Sequence, residues 1–346
     1  MNIIYVGEDK PSSTSFHRAE ALKRLGHQVT VLNPYQAAGK QLRHPLMGKI
    51  HFRTGYRFVQ DHLFKWLKAE LAAVDGKRTD TVFWVNSGEL IGPRLLKLMK
   101  EYKFPAILYN TDDPTGTRDG NRFRSLLKAI KYYDLCAVIR DMNVSEYKNL
   151  GAAKVYRTTT CYDEVYHKGF EPESSVPPEY RSDVAFIGTW MRHEHRDKFL
   201  LKLINAGIPV SIWGDRWQKS PHWNELKKYY RGGALSGRNY VAAMQGAKIA
   251  LGMLSHGNRD KYTRRSVETP YAGGLLCAER TSEHTRMYKE NEEAVFWKDA
   301  DECIAVCKTL LNDDHKREQI RRAGMKKVRE LGMGNETICS GILNQL

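Results

Sequence analysis

Residues suited to binding a phosphate-bearing ligand follow a short apolar run in the C-terminal half of the chain. The run, Lys248–Leu254, predicts a buried strand that leads through a polar, glycine-containing loop into RRSVE, a segment that can open a helix. This order places four residues at a predicted helix N-terminus: Arg264, Arg265, Ser266 and Glu268. Backbone N–H groups and the helix dipole favour an anion there, and guanidinium groups suit phosphate oxygens. The stretch predicts a phosphate site with a carboxylate beside it, and the alternative is a helix with a solvated basic start.

Length and composition limit the class of protein. A chain of 346 residues with 41% hydrophobic and 27% charged residues predicts a globular protein of two domains. The formal net charge of +15 indicates an anionic partner: a phosphorylated small molecule, an acidic membrane surface or a nucleic acid. The six cysteines form no paired framework, and Cys303 and Cys307 have no further ligands at metal-binding spacing. We therefore expect reduced cysteines that mostly pack in the interior, and no metal site. Because no signal-peptide pattern or run of about eighteen apolar residues occurs, we also expect a cytoplasmic protein.

The first half of the chain alternates strand and helix patterns. Strand Asn2–Val6, the loop Gly7–Ser15, a helix and strand Gln28–Leu32 follow one another, which predicts a parallel, Rossmann-like sheet. Ligands of such sheets bind at the carboxyl ends of the strands. The loop lacks the G-x-G-x-x-G pattern, so we predict no dinucleotide site. His17, at the start of the helix, is a candidate base, with polar surface as the alternative.

Two adjacent carboxylates follow another predicted strand, Ala106–Asn110, in the segment TDDP. Asp112 is a candidate general base, or a group that orients a hydroxyl, because it stands at the carboxyl end of a parallel strand. The alternative is a turn, since Asp-Asp-Pro suits turns and helix caps. Asp113, next to Pro114, is the better candidate for the cap.

Residues 41–73 interleave basic side chains with aromatic and aliphatic ones. The pattern predicts a basic amphipathic surface that meets a membrane or an acidic acceptor. The alternative is a solvated helix face whose aromatic side chains pack inward.

A polar, proline-bearing stretch separates two series of alternating strand and helix patterns. We therefore predict a first domain at residues 1–167, a linker at 168–181 and a second domain at 182–334. The last segment, residues 335–346, is a candidate for crossing back to the first domain.

Two glycine-marked turns in the second domain are further candidate ligand contacts. Gly188, followed by Thr189, ends a predicted strand and lets the backbone approach a ligand. Arg192 and Arg196, four residues apart, are predicted on one face of the next helix, as a diphosphate clamp or an exposed basic face. Gly214 ends the next strand, and the run RGGALSGRNYVAAMQGAK is predicted as a turn.

Several strings of sequence carry a family pattern. They are RRSVETPYAGGLLCAERTSEHTRMY, AVFWKDADECIAVCKTLLND and REQIRRAGMKKVRELG, preceded in order by YNTDDP, DMNVSEYKNLGAAKV, DVAFIGTW and GGALSGRNYVAAMQGAKIALGM. Together they resemble the CgeB-like, group 1 glycosyltransferases of the GT-B fold, diffusely in the first domain and specifically in the second. The resemblance implies two Rossmann-like domains that face a central cleft. It also implies an N-terminal acceptor domain, a C-terminal domain for the nucleotide-sugar donor, and no metal or other cofactor.

The resemblance also assigns roles to residues of the donor site. It implies that Glu268 accepts hydrogen bonds from ribose hydroxyls, while Arg265 faces the phosphates of a UDP- or GDP-type sugar donor. The amides around Gly273 and Gly274 are expected to face the same phosphates. The family's E-x7-E pattern is absent, and Asp260, near the place of its first glutamate, is a candidate sugar contact.

A phage DNA β-glucosyltransferase, a distant GT-B relative, is similar at two further places. Arg192 and Arg196 match basic residues that contact the diphosphate there, and Asp112 matches its catalytic base. If the present enzyme retains anomeric configuration, no such base is required and Asp112 positions the acceptor.

The combined prediction is a metal-independent glycosyltransferase that moves a sugar from a nucleoside-diphosphate sugar to an acceptor hydroxyl in bacterial glycan or glycoconjugate synthesis. Domain closure is expected to exclude water from the donor. The expected acceptor is a saccharide, a lipid-linked molecule or a protein, with peripheral contact at the inner membrane face through residues 41–73. The alternative is a DNA-directed glycosyltransferase or a basic nucleic-acid-binding protein.

Overall fold

A computed structural model describes residues 1–74 and 80–346, and these divide into two units. The first unit comprises residues 1–160 together with residues 335–346, and the second comprises residues 161–334. Each unit is built on one six-stranded parallel sheet, as expected for two Rossmann-like domains.

The division between the units lies before Cys161, whereas the sequence predicted a first domain through residue 167 and a linker at 168–181. The segment after Cys161 packs within the second unit, where the Tyr162 ring stacks on Tyr271 with ring centroids 3.9 Å apart. Further along, Phe170 N–H donates to Gln245 Oε1 at 2.6 Å, and Gln245 Nε2 donates to the Phe170 carbonyl at 3.0 Å. These contacts make the predicted linker part of the second unit.

The first unit has a sheet in the order β2-β1-β3-β4-β5-β6. Its strands are β1 (Asn2–Val6), β2 (Gln28–Leu32), β3 (Thr81–Asn86), β4 (Ala106–Asn110), β5 (Leu135–Val138) and β6 (Val155–Arg157). Its helices are α1 (Thr14–Arg24), α2 (Pro34–Ala37), α3 (Gly39–Arg43), α4 (Pro45–Arg53), α5 (Gln60–Leu71), α6 (Pro93–Lys100), α7 (Arg124–Ala129), α8 (Asp141–Asn149) and, from the end of the chain, α16 (Asn335–Leu343).

The second unit has a sheet in the order β12-β11-β10-β7-β8-β9. Its strands are β7 (Ser182–Ile187), β8 (Val210–Trp213), β9 (Tyr230–Gly232), β10 (Ala247–Gly252), β11 (Leu276–Glu279) and β12 (Val295–Trp297). Its helices are α9 (Arg196–Asn205), α10 (Trp223–Leu226), α11 (Gly237–Gln245), α12 (Arg265–Tyr271), α13 (Ser282–Met287), α14 (Ala300–Leu311) and α15 (Asp314–Glu330).

Both faces of the first sheet are buried, which explains why its strands read as continuous apolar runs. Successive side chains of a strand point to opposite faces, so Phe83 joins one core cluster while its neighbour Trp84 joins the other. The second of these clusters includes Cys339 and Ile342 of α16, so the end of the chain covers one face of the first sheet.

Two segments differ from the predicted secondary structure. The sequence pattern after the strand of residues 81–86 predicts a helix over residues 89–102, but helix α6 begins only at Pro93, so Glu89 lies in the loop after β3. The run predicted as a turn before β10 contains helix α11, which begins at Gly237 and carries Tyr240. Both differences affect candidate site residues.

None of the helices in the described part of the chain is long and apolar enough to cross a membrane.

Candidate functional site

The loops after β7, β8, β10 and β11 meet at the carboxyl edge of the second sheet, because all these strands are parallel. Arg196, the first residue of α9, is buried and connects two of the loops. Its guanidinium donates to the Thr189 carbonyl at 2.8 Å and to the Leu254 carbonyl at 2.7 Å. The side chain therefore fixes the backbone of this edge.

The prediction that Arg192 and Arg196 share a helix face is wrong. Helix α9 begins at Arg196 after His195, whose φ of 51° is left-handed, and Arg192 lies in the preceding turn. Arg192 is exposed and makes no ion pair with any described residue. Arg196 is therefore a buried residue that supports the backbone, whereas Arg192 is exposed and has no ion-pair partner among the described residues.

Gly188 and Gly214 bring the ends of β7 and β8 into close contact. A Cβ added at Gly214 would stand 2.1 Å from the Gly188 carbonyl oxygen, and Gly214 has a φ of 138°. The Gly188 carbonyl also accepts a hydrogen bond from Trp217 Nε1 at 2.8 Å. These glycines allow two backbones to approach each other, whereas the sequence suggested that they admit a ligand.

His256 connects three segments of the same edge. Its Nδ1 lies 2.9 Å from Glu194 Oε2, and its Nε2 lies 3.0 Å from both carboxylate oxygens of Glu279. Because a carboxylate only accepts, both ring nitrogens donate when the histidine is protonated. Partial burial lowers the pKa of His256, but the hydrogen bonds to Glu279 and Glu194 outweigh this and raise the pKa above its ordinary value.

This arrangement predicts a pH-dependent stability contribution. A raised folded-state pKa means that the contribution is fully present below the unfolded value of about 6.5 and is lost as pH rises through the folded value. The Tm of the wild type should therefore exceed that of His256→Gln at about pH 5.5, and the difference should shrink by about pH 8.5. Thermal unfolding across this range measures it.

The matched control for His256 is His315→Gln, an exposed position on α15. Its Tm should follow the wild type at every pH. A constant Tm difference between wild type and His256→Gln would contradict the role of the ion pairs.

Glu268, on α12, is a buried carboxylate with 3% exposure. Its Oε2 accepts a hydrogen bond from Tyr240 Oη at 2.6 Å, and its Oε1 lies 3.7 Å from His167 Nε2. His167 Nδ1 accepts the N–H of Asp163 at 2.8 Å, so Nε2 carries the ring proton that faces the carboxylate. Burial raises the pKa of Glu268, but His167, Arg264, Tyr240 and Arg265 together outweigh burial and lower the pKa below its ordinary value.

Arg264 and Arg265 lie at the start of α12, as predicted, and both attract the Glu268 carboxylate. Among the described residues, neither makes an ion pair, and the buried Nε of Arg265 has no hydrogen-bond partner. Ser266, by contrast, is committed to the interior, where its hydroxyl accepts the Thr263 N–H at 3.0 Å and lies 2.8 Å from His284 Nε2. The two arginines remain available to an anion.

The predicted phosphate contact through the amides around Gly273 and Gly274 is wrong. These glycines follow the C-terminal end of α12, and their N–H groups donate to Pro270 and Thr269 carbonyls at 3.0 and 2.9 Å. They precede β11, so they lie at the amino edge of the sheet, away from Arg265. Gly273 has a φ of 92° and ends the helix, which is the usual role of glycine at such a place.

Asp260 lies half-buried in the loop between β10 and α12. Its backbone N–H donates to the Ser255 carbonyl at 3.5 Å. The loop is the one that His256 attaches to the neighbouring segments, so Asp260 belongs to the same edge as Glu268.

Two other features of the second unit lie away from this edge. Cys277 joins Cys303 and Cys307, with the three buried sulfurs within 4.8 Å of one another, although no third ligand at metal-binding spacing could be predicted from the sequence. Three thiols are one ligand short of a structural zinc site. A cavity of about 660 Å³ opens near the amino ends of β7 and β10, where Lys248 pairs with Asp183 at 2.6 Å.

The carboxyl edge of the first sheet holds Asp112. Its Oδ2 accepts from Ser87 Oγ at 3.1 Å, and its N–H donates to Asn110 Oδ1 at 2.8 Å. Arg140 donates to the carbonyls of Thr111 and Asp112 at 3.1 and 2.7 Å. Hydrogen bonds thus hold both the backbone and the side chain of Asp112 in place at the end of β4.

Glu89 is a second carboxylate near Asp112 that the sequence analysis missed. It is buried, accepts from Tyr35 Oη at 3.0 Å and pairs with Arg122 at 2.6 Å. Burial raises the pKa of Glu89; Arg122 opposes the rise and the Asp112 charge adds to it, leaving the pKa above its ordinary value. The rule that selected Asp112, a carboxylate after a buried parallel strand, also applies to Glu89 after β3.

Two other candidates of the first unit are buried. His17 lies in the first turn of α1, with Nε2 3.0 Å from the Pro11 carbonyl, so it supports the loop after β1. Asp113 accepts a hydrogen bond from Asn143 Nδ2 at 2.9 Å. The contact of His17 does not test its role as a base, which stays a prediction.

Comparison with known proteins adds a family match in the second unit. Residues 192–331 match the family described as Glycosyl transferase-like. Among curated proteins, none matches the chain at the level of sequence.

Solved structures with similar folds cover the whole chain. Sucrose-phosphate synthase from Thermosynechococcus elongatus aligns with 100% of this chain and 98% of its own, at a TM-score of 0.69 and 12% identity. Anabaena HepE in complex with UDP aligns over 100% and 99%, at a TM-score of 0.63 and 12% identity. The UDP-forming α,α-trehalose-phosphate synthase from Burkholderia xenovorans aligns over 100% and 99%, at a TM-score of 0.62 and 13% identity.

These comparisons define the class to which the fold belongs. The two Rossmann-like units form the fold of the GT-B glycosyltransferases, which confirms the predicted fold class. The matched domain and the fold are both those of glycosyltransferases, as the sequence predicted.

Proposed function

We propose that the protein is a metal-independent glycosyltransferase whose nucleoside-diphosphate sugar binds at the carboxyl edge of the second sheet. The observation that carries the proposal is the buried Glu268, whose pKa is lowered, beside Arg264 and Arg265, neither of which makes an ion pair with a described residue. A nucleoside diphosphate presents hydroxyl donors to a carboxylate and phosphate oxygens to guanidinium groups. The donor therefore satisfies both kinds of group at once.

Each residue of this edge then has a separate role. Oε1 of Glu268, which lies 3.7 Å from His167 Nε2, accepts the ribose hydroxyls, because a carboxylate oxygen can accept more than one hydrogen bond. Arg265 and Arg264 bind the diphosphate and stabilise the negative charge that grows on it as the sugar leaves. Arg192 is a further phosphate contact, and Asp260 a sugar contact.

We place the acceptor at the carboxyl edge of the first sheet. There Asp112 accepts the proton of the attacking hydroxyl, which becomes a better nucleophile as the bond to the sugar forms. The CgeB-like assignment and a role in bacterial glycan synthesis belong to this proposal, with a glycan as acceptor. No feature of the described residues favours duplex DNA over a glycan.

Calorimetric titration with UDP in the presence of EDTA tests the donor site. UDP is the first ligand to use because the Anabaena neighbour is a complex with UDP. We expect binding without metal and at least about tenfold weaker binding by Arg265→Ala, because a hydrogen bond to a charged group contributes about 1.5–3 kcal/mol. Arg322→Ala, an exposed arginine on α15, is the matched control and should bind like wild type.

Equal UDP affinity of the Arg265 and Arg322 variants would contradict the donor-site assignment. A requirement for added magnesium would contradict metal independence alone.

A further inference from the structure

Residues 39–60 of the first unit, here called the basic apolar segment, expose large hydrophobic side chains. Four are exposed within thirteen residues: Leu46 (63%), Met47 (38%), Phe52 (39%) and Phe58 (55%). Only four other large hydrophobic side chains are exposed in the whole described part of the chain. Exposed apolar side chains concentrated in one place indicate a contact surface.

The same segment is uniformly basic. It exposes Lys40, Arg43, Lys49, Arg53 and Arg57, and it contains no aspartate or glutamate. The chain has none from residue 21 through residue 60. Among the described residues, none of these five cations makes an ion pair. Their charge is therefore exposed and is not neutralised by a carboxylate of the described residues.

Helix α4 arranges the two kinds of side chain on one face. Leu46, Lys49 and Phe52 are each three residues apart, and Arg53 lies four residues after Lys49. His51 of the same helix is buried. At the following turn, the Arg57 guanidinium lies 4.3 Å from the Phe58 ring centroid. Buried Tyr56 and Val59 hold this turn on the core, so the exposed side chains stand on a fixed support.

We propose that the basic apolar segment docks on an anionic lipid bilayer. In the interface of a bilayer, apolar side chains enter the acyl boundary while lysine and arginine meet anionic headgroups, which matches the mixture on α4. A nucleic acid would use the cations but not the exposed leucine and methionine. This proposal does not depend on the glycosyltransferase activity, because it concerns a surface of the first unit alone.

Co-sedimentation of the full-length protein with lipid vesicles tests the proposal. We expect partitioning onto vesicles of phosphatidylcholine mixed with phosphatidylglycerol, and at least about tenfold less onto phosphatidylcholine alone. Phe52→Ser with Phe58→Ser should reduce partitioning about tenfold through lost insertion. Arg53→Gln with Arg57→Gln should reduce both partitioning and its salt dependence.

The matched control is Leu150→Ser with Val165→Ser, which removes two exposed apolar side chains elsewhere. This variant should partition like wild type, and thermal unfolding should show that every variant remains folded. The proposal is overturned if wild type ignores the anionic lipid, or if the Phe52 and Phe58 variant partitions like the control. It is equally overturned if the segment's cations bind duplex DNA while anionic vesicles are left unbound.

Discussion

Replacing Asp112 with asparagine is expected to lower the turnover number for sugar transfer about 100-fold or more, because a general base contributes about 10²–10⁴-fold. Asparagine keeps the size of the side chain and can still accept the hydrogen bond from Ser87 Oγ, now 3.1 Å from Oδ2. The fold and UDP affinity should therefore be preserved while the basic group is lost. Initial rates of transfer from UDP-glucose, with UDP affinity measured alongside, separate these two effects.

Two further variants show whether a loss of turnover is specific to Asp112. Asp141→Asn is the matched control in the same unit, since this carboxylate is 74% exposed and pairs with Arg157. Glu89→Gln tests the second buried carboxylate, and a loss there but not at Asp112 would assign the base to Glu89. Wild-type turnover by Asp112→Asn would rule out a base at this position, as expected for an enzyme that retains anomeric configuration.

The buried strands were the most predictable elements of the fold. Asn2–Val6 and Ala106–Asn110 have the predicted bounds, because apolar runs that end at turn residues are typical of strands buried on both faces. The parallel arrangement then places Asp112 and Arg265 at carboxyl edges without any knowledge of tertiary contacts. This is why the general location of both candidate sites could be read from the sequence.

The spacing of residues in the sequence did not predict correctly where helices α9 and α11 begin. Arg192 and Arg196 would share a face only if the helix included both, and the left-handed His195 prevents this. Similarly, the glycines around Gly237 suggested a turn, although α11 begins at that residue and brings Tyr240 to Glu268. The start of a helix depends on capping contacts that periodicity does not reveal.

The partners of buried charges could not be predicted at all. His167 and Glu268 are about a hundred positions apart, and His167 fell outside the predicted second domain. His256 likewise connects Glu194 with Glu279 across three separate segments. Such pairs form only when parallel strands bring loops together, so the sequence gives the residues but not their pairing.

Replacing Gly214 with alanine is expected to lower the free energy of unfolding of the second unit by about 2–5 kcal/mol, because the added methyl group causes both backbone strain and overpacking. Gly214 has a φ of 138°, which L-residues rarely adopt, and the added Cβ would stand 2.1 Å from the Gly188 carbonyl oxygen. The Gly188 backbone is itself held, because its N–H donates to the Trp213 carbonyl at 2.8 Å and its carbonyl accepts from Trp217. The clash is therefore with backbone that has little freedom to move.

Gly237→Ala is the matched control because it also changes a positive-φ glycine, with a φ of 55° and nothing within 4 Å of the added Cβ. It should cost only about 1–2 kcal/mol, the penalty of the left-handed region alone. Urea unfolding of both variants measures the difference, and UDP affinity below the unfolding transition shows whether Gly214 also contacts the donor. Similar stability of the two variants would contradict the close packing of Gly188 and Gly214. A large stability loss with UDP affinity intact would establish that this glycine positions the edge of the sheet and leaves ligand contact to Arg264, Arg265 and Glu268.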